Sequence, residues 1–271
     1  MRIRVARPLT VLVAVALTAL AGTACSEGYV VSGSNPTPSA EPPGPLSGPL
    51  VVFAASPLGE TLQDAKGKLA TSDPKLSINL NLSDGPGLVK QIQQKPSSAD
   101  VFAATDQADM QQLVAANLVD VPSVFARDKL QIAVATGNPK KITKLADLAR
   151  PDVKAALIDA ATATGKYTRV ALDRQKIVVK PKSAPADAKA ALLAVSTGEA
   201  DATVVYTTDM ALATGGAVLG VAIPDDQNVV ALCRVAVLKA APNRVAAKAF
   251  ADYLVNGDGQ AVFASHGYLA P

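Results

Sequence analysis

The sequence predicts an α/β fold assembled from successive strand–turn–helix units. The chain has 271 residues, 49% of them hydrophobic and 18% charged, which is an ordinary globular composition with room for two modest domains or one large one. Continuous apolar runs, typical of strands buried on both faces, alternate with segments that have helical spacing. Such alternation implies a mostly parallel sheet with right-handed crossovers and helices on its faces.

The first units lie between residues 50 and 135. Strands are predicted at 50–55, 76–82, 100–104 and 130–135. Ser56 is suited to cap the first helix and Pro57 to occupy its first position. A serine hydroxyl and free N–H groups at a helix start form a ready anion site, but from this unit alone capping is the simpler interpretation. Thr105 and Asp106 are predicted to cap the third helix.

The later units resemble a second sheet. The pattern predicts helices at 143–148, 166–172 and 188–195, strands at 154–158, 177–179 and 203–206, and a turn at 159–165. Further strands at 218–223 and 229–238 and helices at 245–254 and 259–264 complete the chain. Tyr206 ends the strand 203–206, ahead of a helix-start signal. A tyrosine at the carboxyl end of a buried strand, facing a crevice, lies where open α/β sheets bind ligands.

Residues 1–25 have the organisation of a secretory signal. Three arginines precede an apolar run over 9–20 that is too short to span a bilayer, and small residues then lead to Cys25. This order resembles a bacterial lipoprotein signal with Cys25 as the lipidated residue; the alternative is simple secretion with Cys25 incidental. Residues 26–48, rich in Gly, Pro and Ser, are predicted to be a disordered tether. With Cys25 lipidated, Cys233 is expected to be a small buried hydrophobe.

The residue inventory argues against several function classes. The one histidine, His266, is expected to be an exposed tail residue. A histidine-based triad elsewhere in the chain, a His/Cys zinc site or a haem site cannot be assembled from this inventory. Neither GxGxxG nor a Walker A loop occurs, and no carboxylate pair stands out for acid–base work. We therefore expect no enzyme. Without the arginines of 1–25, 23 basic residues balance 23 acidic ones, so no footprint for nucleic acid is expected.

The folded part resembles the molybdate-binding proteins of ABC importers, a subgroup of the type II periplasmic solute-binding proteins. The resemblance covers nearly all of 49–271. It rests on the order and spacing of six segments: 51–56 with its serine, 88–92, 99–106 with the letters ADVF, 137–149, 198–209 with the tyrosine, and 249–254.

The resemblance implies a two-lobed type II periplasmic-binding-protein fold with the ligand cleft between the lobes. Lobe I would comprise 49–127 and 227–271, and lobe II 128–226. Molybdate or tungstate would be the ligand, with no cofactor and no direct metal ligands. The implied partner is an ABC permease, and the implied protein is an extracytoplasmic monomer anchored by lipid to the cell membrane. The residues that the resemblance assigns to the ligand are Ser56 (hydroxyl and N–H), Gly85 (N–H), Thr164, Ala188 (N–H) and Tyr206 (phenol).

Two loops depart from the family pattern. Asp84-Gly85-Pro86 stands where the family usually has serines, and Ala163 precedes Thr164 where it usually has proline. Asp84 could select a protonated oxyanion by repelling a full dianion, although a turn residue pointing to solvent is the favoured interpretation. Two alternatives stay open: a binder of another tetrahedral oxyanion such as phosphate or sulfate, and a degenerate binding-fold lipoprotein acting as a sensor or interaction module.

Overall fold

A computed structural model describes residues 46–213 and 216–271. The predicted signal segment with Cys25, and the tether as far as residue 45, lie outside the described residues. The end of the predicted tether belongs to the folded unit, which corrects its boundary. Leu46 donates its backbone N–H to Asp73 Oδ1 at 3.1 Å, and the first strand starts at Gly48. The lobe boundaries given above stay a prediction.

Over the described ranges the chain alternates strands with helices. The strands are β1 (Gly48–Ala55), β2 (Leu76–Ser83), β3 (Val101–Ala104), β4 (Ser123–Ala135), β5 (Ala155–Ala156), β6 (Ala202–Tyr206), β7 (Val218–Ala222) and β8 (Val230–Val237). The α-helices are α1 (Gly59–Ser72), α2 (Gly85–Gln94), α3 (Gln107–Ala115), α4 (Ala163–Arg174), α5 (Ala188–Ser196), α6 (Arg244–Asn256) and α7 (Gly259–Ser265). Short 3₁₀ turns cover Ser56–Leu58, Leu145–Ala149 and Thr208–Leu212.

The strands form one sheet in the order β2-β1-β3-β8-β4-β6-β5, with β7 also paired to β4. β1 runs parallel to β2 and β3, and β5 runs parallel to β6. The other pairings are antiparallel, so the sheet is mixed rather than mostly parallel. The reason is the long strand β4, which pairs with β8 in its first part and with β6 and β7 in its second. β4 carries the chain from one half of the sheet to the other and β8 returns it, so the two run in opposite directions.

Each half of the sheet is covered by apolar side chains on both faces. In the first half, Val52 and Leu50 pack with Phe250 on one face, whereas Phe53 packs with Phe102 on the other. The second half repeats this alternation, because buried residues of β4 and β6 divide between two further clusters. A sheet buried on both faces explains the continuous apolar runs in the sequence. Cys233 lies in the first-half core and is fully buried, as predicted.

Several predicted elements need correction. The segment 177–179 forms no strand, although Ile177 and Val179 pack against the second-half core, because no strand edge pairs with them. α4 starts at Ala163, inside the predicted turn, because the Thr162 hydroxyl accepts a hydrogen bond from the Gly165 N–H at 3.0 Å and caps it. β4 begins at Ser123, seven residues earlier than predicted. His266 is no exposed tail residue: its Nε2 lies 2.9 Å from Asp64 Oδ2.

Candidate functional site

A cleft of about 620 Å³ opens between the two halves of the sheet. On one side β1, β2 and β3 end and α2 and α3 begin; on the other side α4 and α5 begin. The cleft therefore collects helix N-termini from both halves. Its lining residues are 55–57, 83–86, Thr105, Asp106, Asp109, Ile158, 161–164, Lys166, 186–188 and Asp209.

Four of the five residues that sequence reasoning assigned to a ligand line this cleft: Ser56, Gly85, Thr164 and Ala188. Gly85 and Ala188 are the first residues of α2 and α5, and Thr164 is the second residue of α4. The first N–H groups of a helix have no partner inside the helix, so these three starts present free backbone donors. The positive ends of the helix dipoles point the same way. Chemically, such a cleft can hold a small anion without a cationic side chain.

Ser56 lies in the cleft but does not cap a helix. It is the first residue of the 3₁₀ turn Ser56–Leu58, and Ala55 occupies the cap position without a side-chain hydrogen bond. The predicted capping role of Ser56 is therefore wrong. Because its hydroxyl is not used as a cap and the residue is exposed, it can donate to a ligand.

Tyr206 ends β6 as predicted, but the structure does not bring it to the cleft wall. The residue is 1% exposed and packs in the second-half core. Among the described residues its hydroxyl is buried without a hydrogen-bond partner. Burial holds the pKa of the phenol well above its ordinary value, so Tyr206 keeps its proton and remains a potential donor. Its role in binding stays a prediction.

Asp84 is the cap of α2. Its Oδ2 accepts the Gly87 N–H at 2.9 Å, and its Oδ1 accepts the Ser83 hydroxyl at 3.2 Å. Thr162 and Asp187 cap α4 and α5 in the same way, the latter through the Ala190 N–H at 2.8 Å. Each capping side chain occupies one N–H group of its helix, which leaves one free donor fewer per helix. The remaining first-turn N–H groups are the ones left for a ligand.

Sequence reasoning missed Asp109 and the pairing of Asp106 across the cleft. Asp106, the cap of α3, also forms an ion pair across the cleft with Lys166 of α4, Nζ to Oδ2 being 2.7 Å. Asp109, in the first turn of α3, is 5% exposed, and burial raises the pKa of its carboxyl to about 6, with Asp106 adding to the rise. An acidic residue three positions after a helix cap lies at the same end of the helix as the cap. The spacing of Asp106 and Asp109 could therefore have indicated that both carboxyl groups lie at the start of α3.

Two further buried carboxyl groups lie close to the junction of the halves. Asp209, which also lines the cleft, accepts the Tyr206 N–H at 3.0 Å, and burial raises the pKa of its carboxyl to about 6. Asp128 lies on β4 opposite Ala231 of β8 and accepts the Thr208 hydroxyl at 2.6 Å. Burial raises the pKa of Asp128 to about 7. Both groups therefore titrate nearer to neutrality than an ordinary aspartate.

Two absences concern residues 46–213 and 216–271. Within that part of the chain, no group of three or more His, Cys, Asp or Glu side chains could hold a metal ion. Over the same part, none of the helices combines the length and the apolar character that crossing a membrane requires.

Residues 50–269 match the family of bacterial extracellular solute-binding proteins. The chain is 32% identical over 257 residues to the molybdate-binding protein ModA of Mycobacterium tuberculosis, covering 94% of this chain and 97% of the relative. A substrate-binding domain from Clostridium difficile superposes with a TM-score of 0.67 at 24% identity, over 82% of this chain and 99% of the other. The periplasmic molybdate-binding protein of Azotobacter vinelandii gives a TM-score of 0.61 at 16% identity, over 82% and 99%. These two solved structures have the two-lobed fold.

Proposed function

Because the chain belongs to the family of bacterial extracellular solute-binding proteins, we propose that it captures molybdate and delivers it to the permease of an ABC importer. Tungstate, a dianion of the same shape, is the proposed second ligand. The observation that carries the proposal is the convergence of the N-termini of α2, α4 and α5 on one cleft. The similarity to a molybdate-binding relative over nearly the whole chain supports the choice of ligand. The role is binding and delivery, without chemistry on the ligand.

Each cleft residue has a definite part in this proposal. The N–H groups of Gly85 and Ala188 and the N–H and hydroxyl of Ser56 donate to the oxyanion, and Thr164 adds its own hydroxyl. Fixed dipoles in a partly enclosed cleft suit a compact dianion because they need no reorganisation when it arrives. Tyr206 supplies a phenol donor only if the halves of the molecule move to bring it into the cleft.

Calorimetric titration of the purified protein with molybdate, tungstate, sulfate and phosphate tests the proposal; calorimetry suits a chain without tryptophan. We expect one-to-one binding of molybdate and tungstate and no heat from sulfate or phosphate. If phosphate or sulfate binds and molybdate gives no heat, the proposed ligand is wrong. Silence for all four would refute oxyanion capture and favour a sensor or interaction module.

Thr164→Val tests whether this cleft is the site. The side chain is 6% exposed and keeps its shape in the variant, so a folded protein is expected. Hydrogen bonds to charged groups contribute about 1.5–3 kcal/mol, so molybdate should bind roughly ten- to hundredfold more weakly. Thr71→Val, the same change on the exposed end of α1, is the matched control and should leave the affinity unchanged. Equal affinities of both variants would place the site elsewhere.

We also propose that Cys25 carries a lipid that anchors the protein, as a monomer, to the outer face of the cell membrane. The support is the order of charged, apolar and small residues ahead of Cys25. Cys25→Ser should move the protein from the membrane fraction to the soluble fraction and abolish labelling by a fatty acid. Labelling that persists in the variant would contradict the anchor. Sedimentation of the wild type would test the monomer.

A further inference from the structure

Asp109 is a cleft residue whose carboxyl group has no evident structural task. Asp84, Asp106 and Asp209 each accept a backbone N–H at the cleft. No hydrogen bond to the carboxylate of Asp109 occurs within the described part of the chain, although the residue is 5% exposed and lines the cleft. Its oxygens are not among the fully buried unpaired atoms of that part of the chain, so the remaining exposure of this side chain opens to the cleft, where a bound partner can pair with it. Its position therefore points to a ligand.

The carboxylate of Asp109 lies against the start of α2. A Cβ atom added to Gly85 would lie 1.8 Å from Asp109 Oδ2 and 2.7 Å from its Cγ. The space that a side chain at position 85 would fill is thus taken by this carboxyl group. Any anion that approaches the free N–H at the start of α2 meets the carboxyl group of Asp109.

The charges around Asp109 favour its protonated form. Burial contributes most to raising the pKa of its carboxyl, and Asp106 and Asp84 add to the rise. Lys166 opposes them, but its ammonium group is paired with Asp106 at 2.7 Å. On the other wall Asp209 is also acidic. A dianion placed beside Asp109 would raise the pKa further, because like charges disfavour ionisation.

We propose that Asp109 is a ligand-contacting residue that meets the bound oxyanion as a neutral carboxylic acid and donates its proton in a hydrogen bond to it. This inference rests on the proposed function. When the site is empty above pH 6 the carboxyl group is ionised; when a dianion binds, one proton is taken up from solvent and no covalent bond changes. Without this hydrogen bond the carboxyl group would stay unpaired beside the ligand, and molybdate would bind less well.

The test follows the affinity for molybdate from pH 5 to 8 by calorimetry. For the wild type, the dissociation constant should be nearly constant below about pH 6 and rise about tenfold per pH unit above it, because one proton is taken up per ligand. Asp109→Asn keeps the size of the side chain and a hydrogen-bond donor but cannot ionise. Its dissociation constant should stay constant over the whole range and fall below that of the wild type at pH 8.

The matched control is Asp258→Asn, the same change on an exposed cap residue of α7 that makes no side-chain hydrogen bond there. It should keep the pH slope of the wild type. Titration in two buffers with different heats of ionisation counts the protons directly and should give one for the wild type and none for Asp109→Asn. A flat wild-type profile, or a slope that survives in Asp109→Asn, would overturn the inference while leaving molybdate capture intact. Absence of molybdate binding at every pH would instead refute the proposed function.

Discussion

Gly165 lets the start of α4 approach the backbone of residues 158 and 159 closely, and replacing it with alanine should destabilise the protein. A Cβ atom at this position would lie 1.9 Å from the carbonyl oxygen of Asp159 and 2.7 Å from that of Ile158. Real Cβ atoms essentially never come closer than 3.0 Å, so the backbone would have to separate by about 1.1 Å. Hydrogen bonds oppose this separation, because the Asp159 carbonyl accepts two from Thr162 and the Ile158 carbonyl accepts one from Arg169.

The expected change in the free energy of unfolding is the difference between two effects. Overpacking costs about 1–3 kcal/mol, whereas alanine gains up to about 1 kcal/mol over glycine inside a helix. Gly165→Ala should therefore lower the free energy of unfolding by up to about 2 kcal/mol, and it should weaken molybdate binding because α4 carries Thr164. Gly67→Ala is the matched control: a Cβ at Gly67 in α1 meets nothing within 4 Å, so only the helix gain of about 0.5–1 kcal/mol applies. Urea unfolding followed by circular dichroism measures both, and a Gly165→Ala variant as stable as Gly67→Ala would refute the steric argument.

Two further predictions concern charged side chains. Burial raises the pKa of Asp128 from 3.8 to about 7, so between these pH values the folded state holds a proton that the unfolded chain has lost. The free energy of unfolding should therefore fall as pH rises from about 4 to 7, and this group can contribute as much as about 4 kcal/mol to the fall. Asp128→Asn should flatten that decline in urea unfolding at pH 5 and pH 8, and an unchanged pH dependence would contradict it. Lys166→Met removes the ion pair across the cleft and should cost on the order of 1 kcal/mol and increase the radius of gyration of the ligand-free protein in X-ray scattering. Lys140→Met, which removes a surface cation within one half, should not change the scattering, and equal curves for both variants would argue against a cross-cleft link.

Local features were predictable from the sequence. The apolar run of β1 was recognisable because burial on both faces excludes polar residues, and Asp106 was identified as a cap because its partner, the Ala108 N–H, is two residues away. Ser56, Gly85, Thr164 and Ala188 were placed through a family resemblance rather than a local pattern, and all four lie at the cleft. Their role as ligand contacts remains to be measured.

Features that depend on distant partners were not predictable. The first part of β4 has a polar sequence, with Arg127, Asp128 and Lys129, although β8 pairs with it from more than 100 residues later in the chain. Ile177 and Val179 alternate in burial like strand residues, but strand formation needs a free neighbouring edge, which the sequence does not reveal. The contact between Asp109 and Gly85 joins two helices, so neither residue alone indicates it.

The ion pair between Lys166 and Asp106 has a consequence for the speed of ligand capture. The pair joins the two walls of the cleft, and we expect that it has to break before an anion can enter. Dissolved salt weakens interactions between charges that reach solvent, and the Lys166 side chain is 41% exposed. Moderate salt should therefore raise the association rate constant of molybdate, whereas screening of a simple attraction between charges would lower it. The ionic-strength dependence of capture kinetics thus reports whether the cleft opens before the anion enters.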